Sequence, residues 1–433
     1  MIKKITTAII TAAMALTAVS CGNSGSGGNS SESGGGTAES VAPAANEYSF
    51  KESTENTTPD FNNAAANFSA ELFKNISAED VKSGKNVFTS PESVMLALGL
   101  AANGAGGDTL KQFEQVLGKG MKLEDINAGL ARLMTKAKNS SWVKYDIANS
   151  IWVKEGGEIT LKKSYAQLCK ERFDAESYLV PFNTDTVNRI NSWVKDHTDG
   201  MIDKIKEGFT PDEVAVLLNA IVFDAKWQEP YEENYVTEAV FCAADGSEQN
   251  CKMMHATESV FLLDTNAKGF LKYYQGGQYA FMAMLPDEGI SLSDYVSCLT
   301  GEKLLSLYKG RNENSVVITS MPKFKFDWGG SIKDGVKALG LEKAFDPTAD
   351  FSNMAETATG QLYIGDVIHK THIDVDTEGT KAAAVTAVEM KCGSAMIGDE
   401  ILEVKLDRPF LFTIIDTENG LPIFIGAVNS IDS

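Results

Sequence analysis

The feature that most limits what this chain can become is the stretch Asp376–Asp399, DTEGTKAAAVTAVEMKCGSAMIGD. In an extended chain successive side chains point to opposite faces. Thr380, Ala382, Ala384, Thr386, Val388, Met390 and Cys392 then share one face, and Lys381, Ala383, Val385, Ala387, Glu389 and Lys391 share the other. Every charge between 380 and 392 falls on the second face. The first is uncharged, and slim as far as Met390. Gly379 and Gly393 bracket the run, and no proline interrupts it. The pattern predicts a strand with one buried and one wet face. Past Val388 it passes straight into CGSAMIGDE, which reads as exposed loop. An ordinary strand followed by a surface loop fits this stretch. An Ala-rich helix is a third option, weakened by the β-branched Val385, Thr386 and Val388.

The remaining composition is that of a globular protein with ample material for a core: 433 residues, 43% hydrophobic and 23% charged. A formal charge of −20 repels phosphate backbones, so nucleic acid is excluded as a partner. Residues 1–20, MIKKITTAIITAAMALTAVS, have two lysines, then an apolar run and small residues, the pattern of a secretory signal. Ala18-Val19-Ser20-Cys21-Gly22 looks like a lipobox. That similarity implies cleavage before Cys21 and a diacylglycerol on its thiol, a tail that contributes ~0.8 kcal/mol of membrane affinity per buried methylene. Residues 21–58 are rich in Gly, Ser, Ala, Asn and Glu and predict a flexible tether. The expected product is exported, either a cell-surface lipoprotein held at the membrane through Cys21 or a protein of the extracellular space. No later stretch is long and apolar enough to span a bilayer.

Residues 59–433 read as one domain. Helices are expected near 60–76, 91–102, 109–117, 123–138, 161–172, 184–198, 291–308 and 331–339. Strands are expected at 86–88, 146–154, 214–227, on either side of DGSE, through 269–285, at 315–326, and over most of the last third. Helices crowd the front and strands the back without regular βαβ alternation, so the class is α+β. Besides Cys21, cysteines stand at 169, 242, 251, 298 and 392, none in a CxxC pair. Cys242 and Cys251 face each other if Gly246-Ser247 makes the hairpin turn, and do not if Asp245-Gly246 makes it. The four histidines offer no metal pair, since His369 and His372 fall on opposite faces of a strand. There is no GxSxG, HExxH, P-loop or GxGxxG motif. A catalytic function, a metal or a cofactor has nothing to stand on.

Several segments, in order, resemble the serpins, the serine-protease-inhibitor family. They are NVFTSPESV (86–94), NAIVFDAKWQEPY (219–231), Met253-Met254, Gly277-Gln278-Tyr279 through Leu285-Pro286, Pro322-Lys323-Phe324, LGLEKAFDPTADFS (339–352), VIHK (367–370), EGTKAAAVTA (378–387) and RPFLFTIIDTENGLPIFIGAV (408–428). Together they cover essentially all of 59–433.

The resemblance implies helices packed on three β-sheets, with an exposed, insertable reactive-centre loop at about 376–399. It implies a monomer that acts on a target serine protease. The protease attacks the loop and forms a covalent acyl-enzyme; the freed arm then enters the central sheet as a new strand and disables the protease. The parity pattern is what such an insertion requires. Extended at ~3.3 Å per residue, 381–392 spans ~40 Å. By resemblance Gly379, Thr380, Ala382, Ala383 and Ala384 form the hinge. Ser90, Ser93, Asn219 and His369 form a hydrogen-bonded shutter, and Trp227 and Lys323 belong to the breach where the loop enters. The usual spacing puts the scissile bond at Gly393–Ser394, which suits elastase-like or subtilisin-like enzymes; Lys391, Cys392 and Met396 are alternates, Lys391 suiting trypsin-like enzymes. Inhibition of cysteine proteases, or a non-inhibitory binding protein on the same fold, is the rival reading. One residue departs from the pattern: Thr377 stands where serpins usually carry a glutamate facing the breach lysine. Its loss either loosens the top of the sheet or is covered by Asp376 or Glu378.

Overall fold

The computed structural model describes residues 48–156, 159–210, 213–358, 362–380 and 401–431. All lie in the compact unit Ser40–Ser433. Three large sheets carry the fold. The central one is six-stranded, in the order Phe324–Ser331, Asp366–Val375, Gly379–Thr380, Ala215–Lys226, Lys144–Lys154, Glu176–Val180. A second sheet, also six-stranded, runs Val87–Thr89, Pro422–Val428, Phe410–Asp416, Tyr279–Pro286, Ala267–Tyr273, Val260–Asp264. The third is four-stranded: Ile401–Lys405, Val316–Pro322, Glu248–Glu258, Val236–Cys242. This is the α+β class, helices with three large sheets, that the sequence implied.

Two N-terminal helices position the centre of the molecule. Pro59–Lys82 starts on Thr58, whose Oγ1 accepts the Phe61 N–H at 3.2 Å, with proline in the first turn where its missing donor costs nothing. It buries Phe61, Phe68, Leu72 and Phe73. Pro91–Ala102 is apolar nearly all round, and all its residues are buried. Such a helix belongs inside a protein rather than on its surface, and it carries its capping residue, Ser90, into the core with it.

The structure corrects the sequence reading in four places. The tether expected to reach 58 is docked from residue 48: Lys51 N donates to Glu171 O (2.8 Å), Ser53 N to Thr135 Oγ1 (2.9 Å), and Phe50 packs on the core. The strand expected over 315–326 is two strands in different sheets, parted at Lys323. The hairpin after Cys242 turns through three residues, because Ala243 N bonds Ser247 O; Cys242 therefore pairs with Glu248 and Cys251 with Ala239, and the two cysteines do not face each other across the ladder. Finally, 376–380 does not belong to an exposed loop. Thr377, Gly379 and Thr380 are buried, the last two as a short strand in the central sheet.

Candidate functional site

The strand Asp366–Val375 turns at 376–378 and returns as Gly379–Thr380, antiparallel to its own end (Val375 opposite Thr380) and to Ala215–Lys226 (Gly379 opposite Lys226, Thr380 opposite Ala225). Asp376 makes the turn: its Oδ1 accepts the N–H groups of Glu378 (2.8 Å) and Gly379 (3.2 Å). Glycine is required at 379, since a Cβ there would lie 2.1 Å from Ala225 O. Trp227 N donates to Glu378 O (2.9 Å), Trp227 Nε1 to Asp376 O (3.0 Å) and Tyr231 N to Thr377 O (2.9 Å), so the turn hangs from the segment that follows the Ala215–Lys226 strand. Trp227 is fully buried and stacks on Tyr274 at 4.5 Å, and the Tyr274 hydroxyl meets Thr380 Oγ1 at 2.6 Å.

Below this turn the sheet parts. Asp366, Val367 and Ile368 pair in parallel with Val216, Leu217 and Leu218, but the ladder between these two strands goes no further among the described residues. Above it lies an enclosed cleft lined by Phe88, Ile221, Phe223, Thr371, Ile373 and Thr380. One lip is continuous with Ala215–Lys226, the other with Asp366–Val375 and Phe324–Ser331. Phe88 closes the floor, stacked on Phe424 at 4.7 Å.

A buried polar cluster sits where the two strands part. Ser90 N donates to His369 Nε2 (3.0 Å) and Ser90 Oγ to Ile423 O (2.8 Å). Ser93 N donates to Ser90 Oγ (3.2 Å), and Ser93 Oγ donates to Asn219 Oδ1. Asn219 Nδ2 in turn donates to Asn149 Oδ1 (2.8 Å). Ser90, Ser93, Asn219 and His369, predicted as a set, are thus brought together, with His369 on one lip and Asn219 on the other. Asn149 is a member the sequence reading missed, and Thr371, which donates to Phe88 O at 2.6 Å, is another. Burial drops the His369 pKa to about 4, so the ring is neutral at neutral pH. Its Nε2 accepts a hydrogen bond and the proton therefore sits on Nδ1, which is buried without a hydrogen-bond partner among the described residues.

At the mouth, Lys323 does not meet Asp376 or Glu378. Its Nζ reaches Glu233 Oε1 at 3.4 Å, and the same oxygen accepts Thr377 Oγ1 at 2.9 Å. The carboxylate expected near Thr377 is supplied from Glu233 instead, because the Asp376 side chain is committed to the turn. Cys21, Ala382, Ala383, Ala384, Lys391, Cys392, Gly393, Ser394 and Met396 lie outside the described residues.

Two buried groups give this region a pH signature. Burial raises the Glu92 carboxyl to about 7, against the opposing hydrogen bond from the Tyr145 hydroxyl (2.8 Å). The folded state therefore holds a proton that the unfolded state releases near pH 4.5, and Glu92 costs stability as pH rises from there through about 7. His369 has the opposite sign: its folded pKa is depressed, so its contribution is present above the unfolded value of 6.5 and is lost as pH falls towards 4. In the shared window the two slopes oppose each other. In E92Q only the histidine slope remains. The unfolding free energy of the parent minus that of E92Q should fall with rising pH by ~1.4 kcal/mol per unit, ~3 kcal/mol in all. Urea unfolding across pH measures it; a difference independent of pH would refute the assignment.

Comparison with known proteins agrees with this geometry. The family description "Serpin (serine protease inhibitor)" matches residues 63–431. Iripin-5 of Ixodes ricinus is 32% identical over 358 residues, 80% of this chain and 89% of the relative. A protein named serine protease inhibitor from Cyanea capillata is 31% identical over 363 residues, 79% of this chain and 92% of the relative. The crystal structure of the thermophilic serpin Tengpin in its native state superposes with a TM-score of 0.83 at 40% identity, covering 91% of this chain and 99% of that one. A cleft in the central sheet, its lips joined below and the start of one further strand seated at its mouth, is the arrangement of a serpin, and this chain belongs to the serpin family.

Proposed function

We propose that the protein is a suicide-type inhibitor of serine proteases, exported, and held at a membrane through a lipid on Cys21. Serpins in general inhibit proteases, and the Cyanea relative is named for that activity. The observation that carries the reading for this chain is the register of Gly379 and Thr380. Continued past Thr380, it would set Lys381 between Asp224 and Asp374, Ala382 between Phe223 and Ile373, Ala384 between Ile221 and Thr371, and Thr386 between Asn219 and His369. Each would fit its place: an ammonium between two carboxylates, small side chains where large ones line the cleft, and a hydroxyl beside the His369 N–H. The chain that follows the hinge is shaped for the cleft it adjoins.

In the proposed cycle the protease serine oxygen attacks the carbonyl carbon of Gly393. The C–N bond to Ser394 breaks, the Ser394 amine leaves with a proton, and the arm up to Gly393 stays esterified to the protease. Insertion of the arm then carries the protease away before water hydrolyses the ester. Small residues flanking this bond favour elastase-like or subtilisin-like enzymes, by only ~1–3 kcal/mol over their neighbours.

Mixing the full chain with such an enzyme should give an adduct stable to SDS, together with a released peptide whose mass places its start at Ser394. A peptide starting at Cys392 moves the bond to Lys391 and the target to trypsin-like enzymes. Cleavage with no adduct sinks the inhibitory reading and leaves a binding protein on the same fold.

A further inference from the structure

The outer face of the third sheet carries a break in its pattern. Its outward positions are polar and exposed at Glu238, Asn250, Lys252, Thr257, Glu403 and Lys405, as a sheet with one wet face requires. On two neighbouring strands that rule fails. Ile318 is 44% exposed and Ile401 67%. Ile401 stands opposite the half-buried Val316, and Val316 is two residues from Ile318 on the same face, so the three side chains adjoin. Their inward neighbours Val317 and Val404 are fully buried, so the core is filled without them. Ile401–Lys405 is also an edge strand, paired only with Val316–Pro322 among the described residues. Apolar residues on an open edge invite misassociation, which proteins otherwise avoid with charge. These three serve nothing in the fold of the sheet, and their place points to a partner.

We propose that Val316, Ile318 and Ile401 form a secondary docking surface for the target protease, and that the favoured target carries an apolar rim beside the part of its cleft that binds the residues after the cut. This rests on the inhibitory reading above. Ile401 is seven residues after Ser394. At ~3.5 Å per residue the proposed bond lies within ~25 Å of Ile401, however the chain between them runs. Even a small domain is ~30 Å across, so a protease engaged on that bond has its rim within reach of this edge of the third sheet. A second copy of the chain is the poorer occupant, because a stable interface needs ~800 Å² from each partner and three side chains supply a fraction of it. A protease already gripping the loop needs only an added contact. That contact forms while the loop is uncut, so it acts on association and not on the later insertion.

The test measures the rate at which the full chain associates with an elastase-like, a subtilisin-like and a trypsin-like enzyme, and the number of inhibitor molecules consumed per protease. The double variant I318T/I401T keeps β-branched side chains, which suit the strands, and loses apolar surface. With whichever enzyme the parent traps fastest, it should associate on the order of tenfold more slowly, at unchanged stoichiometry and melting temperature. L263T alters a leucine that is 71% exposed on the second sheet and should match the parent. Association of the double variant at the parent rate, equal slowing by L263T, or a change in stoichiometry in place of the rate overturns the docking surface. So does a parent that sediments as a dimer and a double variant that is monomeric yet equally fast, which would give the patch to a second copy. A parent that forms no adduct with any of the three enzymes is a different failure, since it removes the inhibitory reading and this proposal with it.

Discussion

Replacing Thr380 by arginine is expected to turn the protein from an inhibitor into a substrate. Thr380 is 3% exposed and lies between Ala225 and Val375, each about 1% exposed. Its hydroxyl meets that of Tyr274, which is itself fully buried. An arginine on this face points beneath the sheet, towards the stacked Tyr274 and Trp227 rings. Enclosing a guanidinium there with no carboxylate to meet it costs several kcal/mol, so residue 380 leaves the sheet in the uncut protein, and having to re-enter it slows insertion on the order of a hundredfold or more. The scissile bond is far along the loop, so acylation proceeds as before and hydrolysis of the ester wins. The number of inhibitor molecules consumed per protease should rise more than about tenfold, with cleaved chain replacing the adduct on SDS gels. Thr380→Ser keeps the hydroxyl and the small volume, and should inhibit like the parent. A Thr380→Arg protein that still traps protease one for one would show that the seat of residue 380 in the sheet does not govern insertion.

What the sequence disclosed and what it withheld divide along physical lines. The apolar run at 214–227 gave a central strand, because a buried sheet constrains side-chain size and charge locally, whereas the period-two pattern of 380–392 lies, past Thr380, outside the described residues. The buried polar cluster of Ser90, Ser93, Asn219 and His369 was found because motifs carried its members; on the strand itself Asn219 is an isolated polar residue in an apolar run. Asn149 carried no such signal, since an asparagine on a half-polar strand reads as solvent-facing until its partner across the sheet is known. The mouth of the cleft was least legible. Parity placed Thr380 on the buried face but could not say that it is already in the sheet, which depends on the approach of Gly379 to Ala225 O. Nor could it choose the carboxylate that serves Thr377. Asp376 and Glu378 are nearer in the chain, yet Asp376 spends its side chain on the turn and Glu233 arrives from the far lip. The Cys242 hairpin failed for a related reason: its register follows the number of turn residues, and three were used where two were assumed.

The second large effect is thermal. Cutting the loop at the proposed bond should raise the melting temperature of the body. Among the described residues the two lip strands pair directly only through Asp366–Ile368 and Val216–Leu218, and Ile221, Phe223, Thr371 and Ile373 line the cleft above. An inserted arm would give both lips a partner ladder and carry its own slim and apolar side chains under the sheet. Burial of half a dozen inward side chains, at ~25 cal/mol per Å² of apolar surface, gives on the order of 10 kcal/mol, and for a body this large a rise of roughly 10–20 °C. Ala384→Pro separates insertion from mere nicking. Insertion in the same register would put residue 384 between Ile221 and Thr371, in the interior of the new sheet, where proline lacks the N–H that the ladder needs. The cut Ala384→Pro protein should therefore melt close to its uncut form, while the cut parent melts far above. Calorimetry on the four samples decides it. A cut parent that melts no higher than the intact one would mean that the cleft stays empty after cleavage, and the trapping mechanism would lose its source of free energy.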